Sequence, residues 1–214
     1  MMKFRCSSLA SIMGDPKSGD GLSQSAKTYL NGMAKEFSYG FRELISGKEF
    51  EKGIACEDAL IELYNDVFFT QHEKNTERRT NEVITGEPDI VVPAVKIIDV
   101  KNAFSLATFP DTEEEVISIA KKSGYDWQGK GYLWLFDIPL FELVYGLVST
   151  PNELMKPWYQ EDLHKVDHID PMRRITRTFI ERNKADEDKI IHKTTLANEY
   201  LKNRVAQINL DHKF

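Results

Sequence analysis

The order of helix-period and strand-period segments predicts an α/β (α+β) fold, a mixed central β-sheet flanked by α-helices. Two long amphipathic stretches come first, and β-rich runs punctuated by Pro88 and Pro93 fill residues 83–101. Helix and strand patterns then alternate up to a final amphipathic helix. No internal repeat or low-complexity linker interrupts the 214 residues, so residues 1–214 read as a single domain.

Each element follows from local chemistry. Ser7 and Ser8 precede Leu9, Ile12 and Met13, the pattern of a short capped helix, and the polar, glycine-rich residues 14–21 form a loop. Helices are expected over residues 23–46 and 52–69. Val83-Ile84, residues 89–92 and residues 95–101 are β-rich. Residues 113–122 and 126–136 read as helices, the second weakened by Gly129 and Gly131. Residues 141–149 and 173–181 read as strands. The last helix, residues 186–208, carries Ile190, Ile191, Thr194, Ala197, Leu201, Val205 and Ile208 on one stripe.

Composition excludes several classes. With 41% hydrophobic and 29% charged residues the chain is neither disordered nor collagen-like. A net charge of −6 argues against a bulk polycation that coats nucleic acid, though not against a local basic groove. Cys6 and Cys56 form no C-x-x-C pair and cannot supply four ligands to a structural zinc or an iron–sulfur cluster, so two buried thiols in a reducing compartment are expected. The N-terminal residues lack an apolar run of signal-peptide length, and residues 132–148 are interrupted by Asp137, Pro139 and Glu142. A soluble, cytoplasmic protein is the expectation.

The segment that carries chemistry runs from Gly86 to Lys101. A hairpin centred on Ala94 places Asp89 opposite Asp99, with Cβ atoms about 4.5–5.5 Å apart. Two carboxylates that close repel unless a cation lies between them. Strand alternation adds Lys101 to the face of Asp99. A solvated hairpin face is the plainer alternative. Glu57 weighs against it: on the helix of residues 52–69 it falls on the apolar side with Ile54, Leu60, Ile61, Tyr64, Val67 and Phe68. A buried Glu–Arg pair or a backbone hydrogen bond would also explain Glu57. Taken together, Glu57, Asp89 and Asp99 suggest a hard-cation site for Mg²⁺ or Mn²⁺, with Lys101 beside it. The chemistry such a site performs is phosphodiester hydrolysis, in which Lys101 orients water or stabilises phosphate charge.

Pro88-Asp89 followed ten residues later by Asp99-Val100-Lys101 resembles the motif of the PD-(D/E)XK nuclease superfamily. Glu57 matches its upstream helix acid, and Gln128-Gly129-Lys130-Gly131-Tyr132 resembles the Q-x-x-x-Y motif of the exonuclease branch. Within it, residues 4–205 look most like the bacteriophage lambda exonuclease and YqaJ-like viral recombinase family. The resemblance implies a restriction-endonuclease-like core and a Mg²⁺-dependent exonuclease, with Mn²⁺ as a substitute. It would resect linear duplex DNA 5′ to 3′ and leave 3′ overhangs for phage recombination, in the host cytoplasm if phage-encoded. It implies metal binding by Asp89, Asp99 and the Val100 carbonyl, with Glu57 acting directly or through water. Lys101 and Gln128 complete the implied catalytic set. A single-strand annealing protein and a homo-oligomeric ring trimer are the implied partners. A structure-specific or restriction-type endonuclease, or a noncatalytic DNA-binding module, are the rivals.

Arg5, Ser7 and Ser8 resemble the region that holds the DNA 5′-phosphate in these exonucleases, although plain helix capping by the serines accounts for them equally. Lys130, with room made by Gly129 and Gly131, and Tyr132 complete the candidate DNA-binding set, and Lys121 and Lys122 suit either DNA or solvent. Trp127 and Trp134 suit the core better than base stacking. Arg173, Arg174 and Arg177 form a basic cluster open to DNA, subunit or edge roles.

Overall fold

A computed structural model describes residues 2–19, 21–42 and 47–211. The elements are β1 (Phe4–Arg5), α1 (Ala10–Met13), α2 (Gln24–Tyr39), α3 (Lys48–Phe68), β2 (Arg79–Thr80), β3 (Ile84–Gly86), β4 (Ile90–Val92) and β5 (Lys96–Asn102). They continue with α4 (Glu113–Ser123), α5 (Tyr125–Phe136), β6 (Leu140–Gly146), α6 (Glu161–His164), β7 (Ile175–Glu181) and α7 (Lys184–Asp211). The α/β class is as expected. Strands β4-β5-β6-β7 form a mixed sheet, with only the central β5–β6 pair parallel. A second small sheet, β1-β3-β2, lies beside it in sequence through β3.

Strand alternation sorts the core into two layers. Ile98 and Val100 of β5 and Val144 of β6 pack against Cys56, Leu60 and Tyr64 of α3. Ile97, Phe141, Leu143 and Tyr145 face the other layer, with Leu133 and Phe136 of α5 and the apolar stripe of α7. The β4–β5 register pairs Ile90 with Ile98 and Val92 with Lys96, the hairpin centred on Ala94. Ala94 itself adopts φ 60° at the turn.

Several boundaries differ from the sequence reading. Helix α2 begins as expected, with the Ser23 hydroxyl accepting from the Ala26 N–H, but stops at Tyr39 because Gly40 turns left-handed at φ 69°. Residues 43–46 of the expected helix lie outside the described residues. Ser7 and Ser8 form a 3₁₀ turn and cap nothing; the N-cap of α1 is Leu9. Arg173 and Arg174 belong to a 3₁₀ turn before β7 rather than to the strand. Ile54 and Ile191, read as inward, are exposed; on α3 it is Lys52, Cys56 and Leu60 that set the buried line. Both cysteines are buried free thiols. Among the described residues no helix is long and apolar enough to cross a membrane.

Candidate active site

The ladder of β4 and β5 ends at Ile90–Ile98, and the chain beyond it supplies the polar groups. Continuing the register sets Asp89 opposite Asp99 and Pro88 opposite Val100. Pro88 has no N–H, and its carbonyl accepts from Asn75 Nδ2 at 3.0 Å. The Val100 N–H, left without a ladder partner, donates instead to Asp89 Oδ2 at 2.7 Å. A strand residue's N–H and C=O face the same neighbour, so the Val100 carbonyl points to the same edge, where proline returns no donor.

Asp99 is 1% exposed. Its Oδ1 accepts from Gln128 Nε2 at 3.1 Å, and its carboxylate meets the ammonium of Lys101. That contact falls on Oδ2. Gln128 Nε2 also donates to the Tyr132 hydroxyl at 3.1 Å, and that hydroxyl donates to the Glu87 carbonyl at 3.2 Å. The network ties α5 to the chain just before Asp89. Gly129 lets α5 approach this closely, because a Cβ there would lie 2.3 Å from the Phe141 ring.

The charges do not balance. Burial, then the neighbouring Asp99, pushes the Asp89 carboxyl up to about 7. Burial alone would pull Lys101 down, but Asp99 and Asp89 outweigh it and hold the ammonium above the usual lysine range. One lysine thus serves two carboxylates. The donors at the mouth of the hairpin are the oxygens of Asp89 and Asp99 and the Val100 carbonyl. A hard, oxygen-seeking divalent cation fits that set and would relieve the repulsion, with water completing its shell.

Glu57 does not join this set directly. It is 26% exposed and ion-paired with Lys74 Nζ at 2.8 Å. Among the described residues no three His, Cys, Asp or Glu side chains converge as a ready metal cage. Glu57 is nevertheless close enough for its charge to help raise Asp89.

Of the expected DNA contacts, Arg5 and Ser7 are exposed beside β3, where Arg5 pairs with Thr85, and the Ser8 hydroxyl donates to the Arg5 carbonyl. Tyr132, expected at the 5′-phosphate, is 4% exposed and committed to Gln128 and Glu87, which corrects that reading. The room beside Lys130 is filled by protein: Gly131 faces Leu9 and Cys6, while Lys130 pairs with Asp186 at 3.2 Å and lies over the Trp127 ring. Trp127 and Trp134 pack partly buried against the core. Arg177 serves Glu142 rather than an open basic patch.

Sequence reasoning missed three groups near the site. Lys74 arrives from an irregular segment whose Asn75 N–H donates to the Asp89 carbonyl, a placement no periodicity announces. Lys52, buried on α3 and pulled down to about 8 by burial, donates to the carbonyls of Ala103 and Phe104 just past Lys101. Tyr125 lies over Lys101, and its spacing of three residues from Gln128 was a usable signal.

The chain matches a phage-related exonuclease from Haemophilus somnus over 97% of its own length and 96% of that chain, with 35% identity and a TM-score of 0.91. An alkaline exonuclease from Laribacter hongkongensis matches at 16% identity and TM-score 0.64, covering 98% and 92% of the two chains. The structure of that enzyme in complex with dAMP matches with a TM-score of 0.63. At this lower identity the likeness concerns the fold alone. A scan of family models and a search of curated proteins find no match.

Proposed function

The chain belongs to the family of phage-related exonucleases akin to lambda exonuclease and the YqaJ-like recombinases, and from that premise we propose a Mg²⁺-dependent exonuclease acting on linear double-stranded DNA. The observation that carries the reading is the pair Asp89 and Asp99, opposed across a hairpin with Lys101 as the one cation in contact among the described residues. Family resemblance adds the 5′ to 3′ direction, the 3′ overhang handed to a single-strand annealing protein, and assembly as a ring trimer.

In this reading Asp89, Asp99 and the Val100 carbonyl would hold Mg²⁺, and Glu57 would contribute through water or after leaving Lys74. When bound, the cation supplies Lewis-acid charge at the scissile phosphate and a more acidic water. The chain's own groups do the rest. Asp89 enters the reaction as a carboxylate, having given up its proton. Gln128 holds Asp99 by Oδ1, and Lys101 meets Oδ2. Tyr132 fixes the amide of Gln128. Lys101 presents its ammonium to a phosphoryl oxygen or to the attacking water. Arg5 and Ser7 offer exposed donors for the 5′-phosphate.

The test is a linear duplex labelled at its 5′ end beside a closed circle, each with Mg²⁺ and with EDTA. Mg²⁺-dependent release of labelled mononucleotides with the circle intact is the expected result. Cutting of the circle would replace the reading with an endonuclease. Metal-independent DNA binding with no cleavage would replace it with a noncatalytic module.

A further inference from the structure

Helix α5 touches β5 at a point that the Q-x-x-x-Y motif does not include. Tyr125, Gln128 and Tyr132 occupy one stripe of the helix at i, i+3 and i+7. Gln128 meets Asp99, and Tyr132 braces Gln128. Tyr125 sets its ring centroid 5.1 Å from Lys101 Nζ. Tyr145 lies directly opposite Lys101 in the β5–β6 ladder. The lysine is therefore bracketed between the Asp99 carboxylate and an aromatic face.

We propose that Tyr125 is a positioning residue for Lys101. Its ring keeps the ammonium aimed at the place where the scissile phosphate is bound. This rests on the nuclease reading and deepens it.

A lysine ammonium sits on a flexible four-carbon stem and needs more than one contact to hold a direction. The Asp99 carboxylate holds it at the cost of neutralising it, and Asp99 is also committed to Gln128 and to the cation. An aromatic face attracts the ammonium through its quadrupole and carries no full charge of its own. It orients Lys101 while leaving the positive charge available to phosphate. The location agrees with this role. Tyr125 is half-buried and the Lys101 side chain is 23% exposed, so the contact lies where the cluster opens to solvent rather than in the sealed core.

Two readouts test it. In steady-state cleavage of linear duplex DNA, Tyr125→Leu lowers kcat by about tenfold with KM unchanged, the scale of a partly desolvated cation–π contact. Tyr125→Phe keeps the ring and recovers most of that loss. A wild-type kcat in Tyr125→Leu, equal losses in the Leu and Phe variants, or a change confined to KM would each overturn the proposal. The second readout needs no cleavage. In NMR spectra of the folded protein, the Lys101 ε-methylene, assigned through Lys101→Arg, shows an upfield ring-current shift that persists in Tyr125→Phe and vanishes in Tyr125→Leu. An active wild type with an unshifted Lys101 methylene overturns this proposal alone. An inactive wild type overturns the nuclease reading, and the catalytic half of the proposal with it.

Discussion

Asp99 and Glu142 lie one row apart on neighbouring strands, Asp99 opposite Leu143 and Glu142 opposite Ile98, and both are sealed from solvent. They face opposite sides of one sheet, and their company differs. Glu142, 0% exposed, accepts from Lys96 Nζ at 2.6 Å and the Tyr64 hydroxyl at 3.0 Å on one oxygen, and from Arg177 at 3.0 Å on the other. Both oxygens are answered, and two cations serve one anion. Across the sheet, among the described residues, Asp99 meets one ammonium and Asp89 none within ion-pair distance. A buried charge that is fully answered holds a structure together. One that is left short marks where a ligand with the missing charge is meant to sit.

The contrast can be broken by substitution. The largest effect is expected at the short side: Asp99→Asn and Lys101→Ala each reduce cleavage by roughly 10³-fold or more while the protein stays folded by circular dichroism. Asp99→Asn melts no lower than wild type, since it removes a like-charge repulsion with Asp89. Full cleavage in either variant would remove the site assignment. On the answered side, Glu142→Gln strands Lys96 and Arg177 and costs about 2–4 kcal/mol in denaturant melts. Cleavage per folded molecule stays at the wild-type level, because Glu142 faces α3, away from Gln128.

A smaller effect sharpens the comparison through pH. Burial and Asp99 push the Asp89 carboxyl up to about 7 in the folded protein, against about 4 for an aspartate in the unfolded chain. Between those values the folded state holds the extra proton, so this group favours folding at low pH, and its contribution is lost as pH rises through 7. His72 and His164, pulled down by burial, act in the opposite sense, so the difference between wild type and Asp89→Asn isolates the term. In EDTA, the stability of wild type relative to Asp89→Asn should fall between about pH 4 and 7. A difference that is flat across that window would place Asp89 in an ordinary solvated setting.

The parts of this arrangement that follow short-range rules could be read from residues alone. Proline spacing and the β-rich runs around Ala94 give the hairpin register, and that register brings Asp89 to Asp99. Helical spacing brings Tyr132 to Gln128. What escaped depends on contacts between distant segments. Strands β1 and β2 have two residues each, too short to show a period. Glu57 fell on the apolar side of its helix, but its cation, Lys74, comes from a loop that no pattern ties to α3. Gly129 and Gly131 were read as space for DNA, whereas they admit Phe141 and Leu9. Glu142 registered only as a charge interrupting an apolar run, because its partners lie on α3, β5 and β7.

The central claim is that the unbalanced carboxylate pair, and not the balanced one, is built for a divalent cation. Calorimetric titration of Mn²⁺ into the DNA-free protein near pH 7 tests it directly. The account predicts saturable binding accompanied by proton release from Asp89, retained in Glu142→Gln and lost in Asp99→Asn. Equal binding by Asp99→Asn, or no saturable binding by wild type, would contradict it.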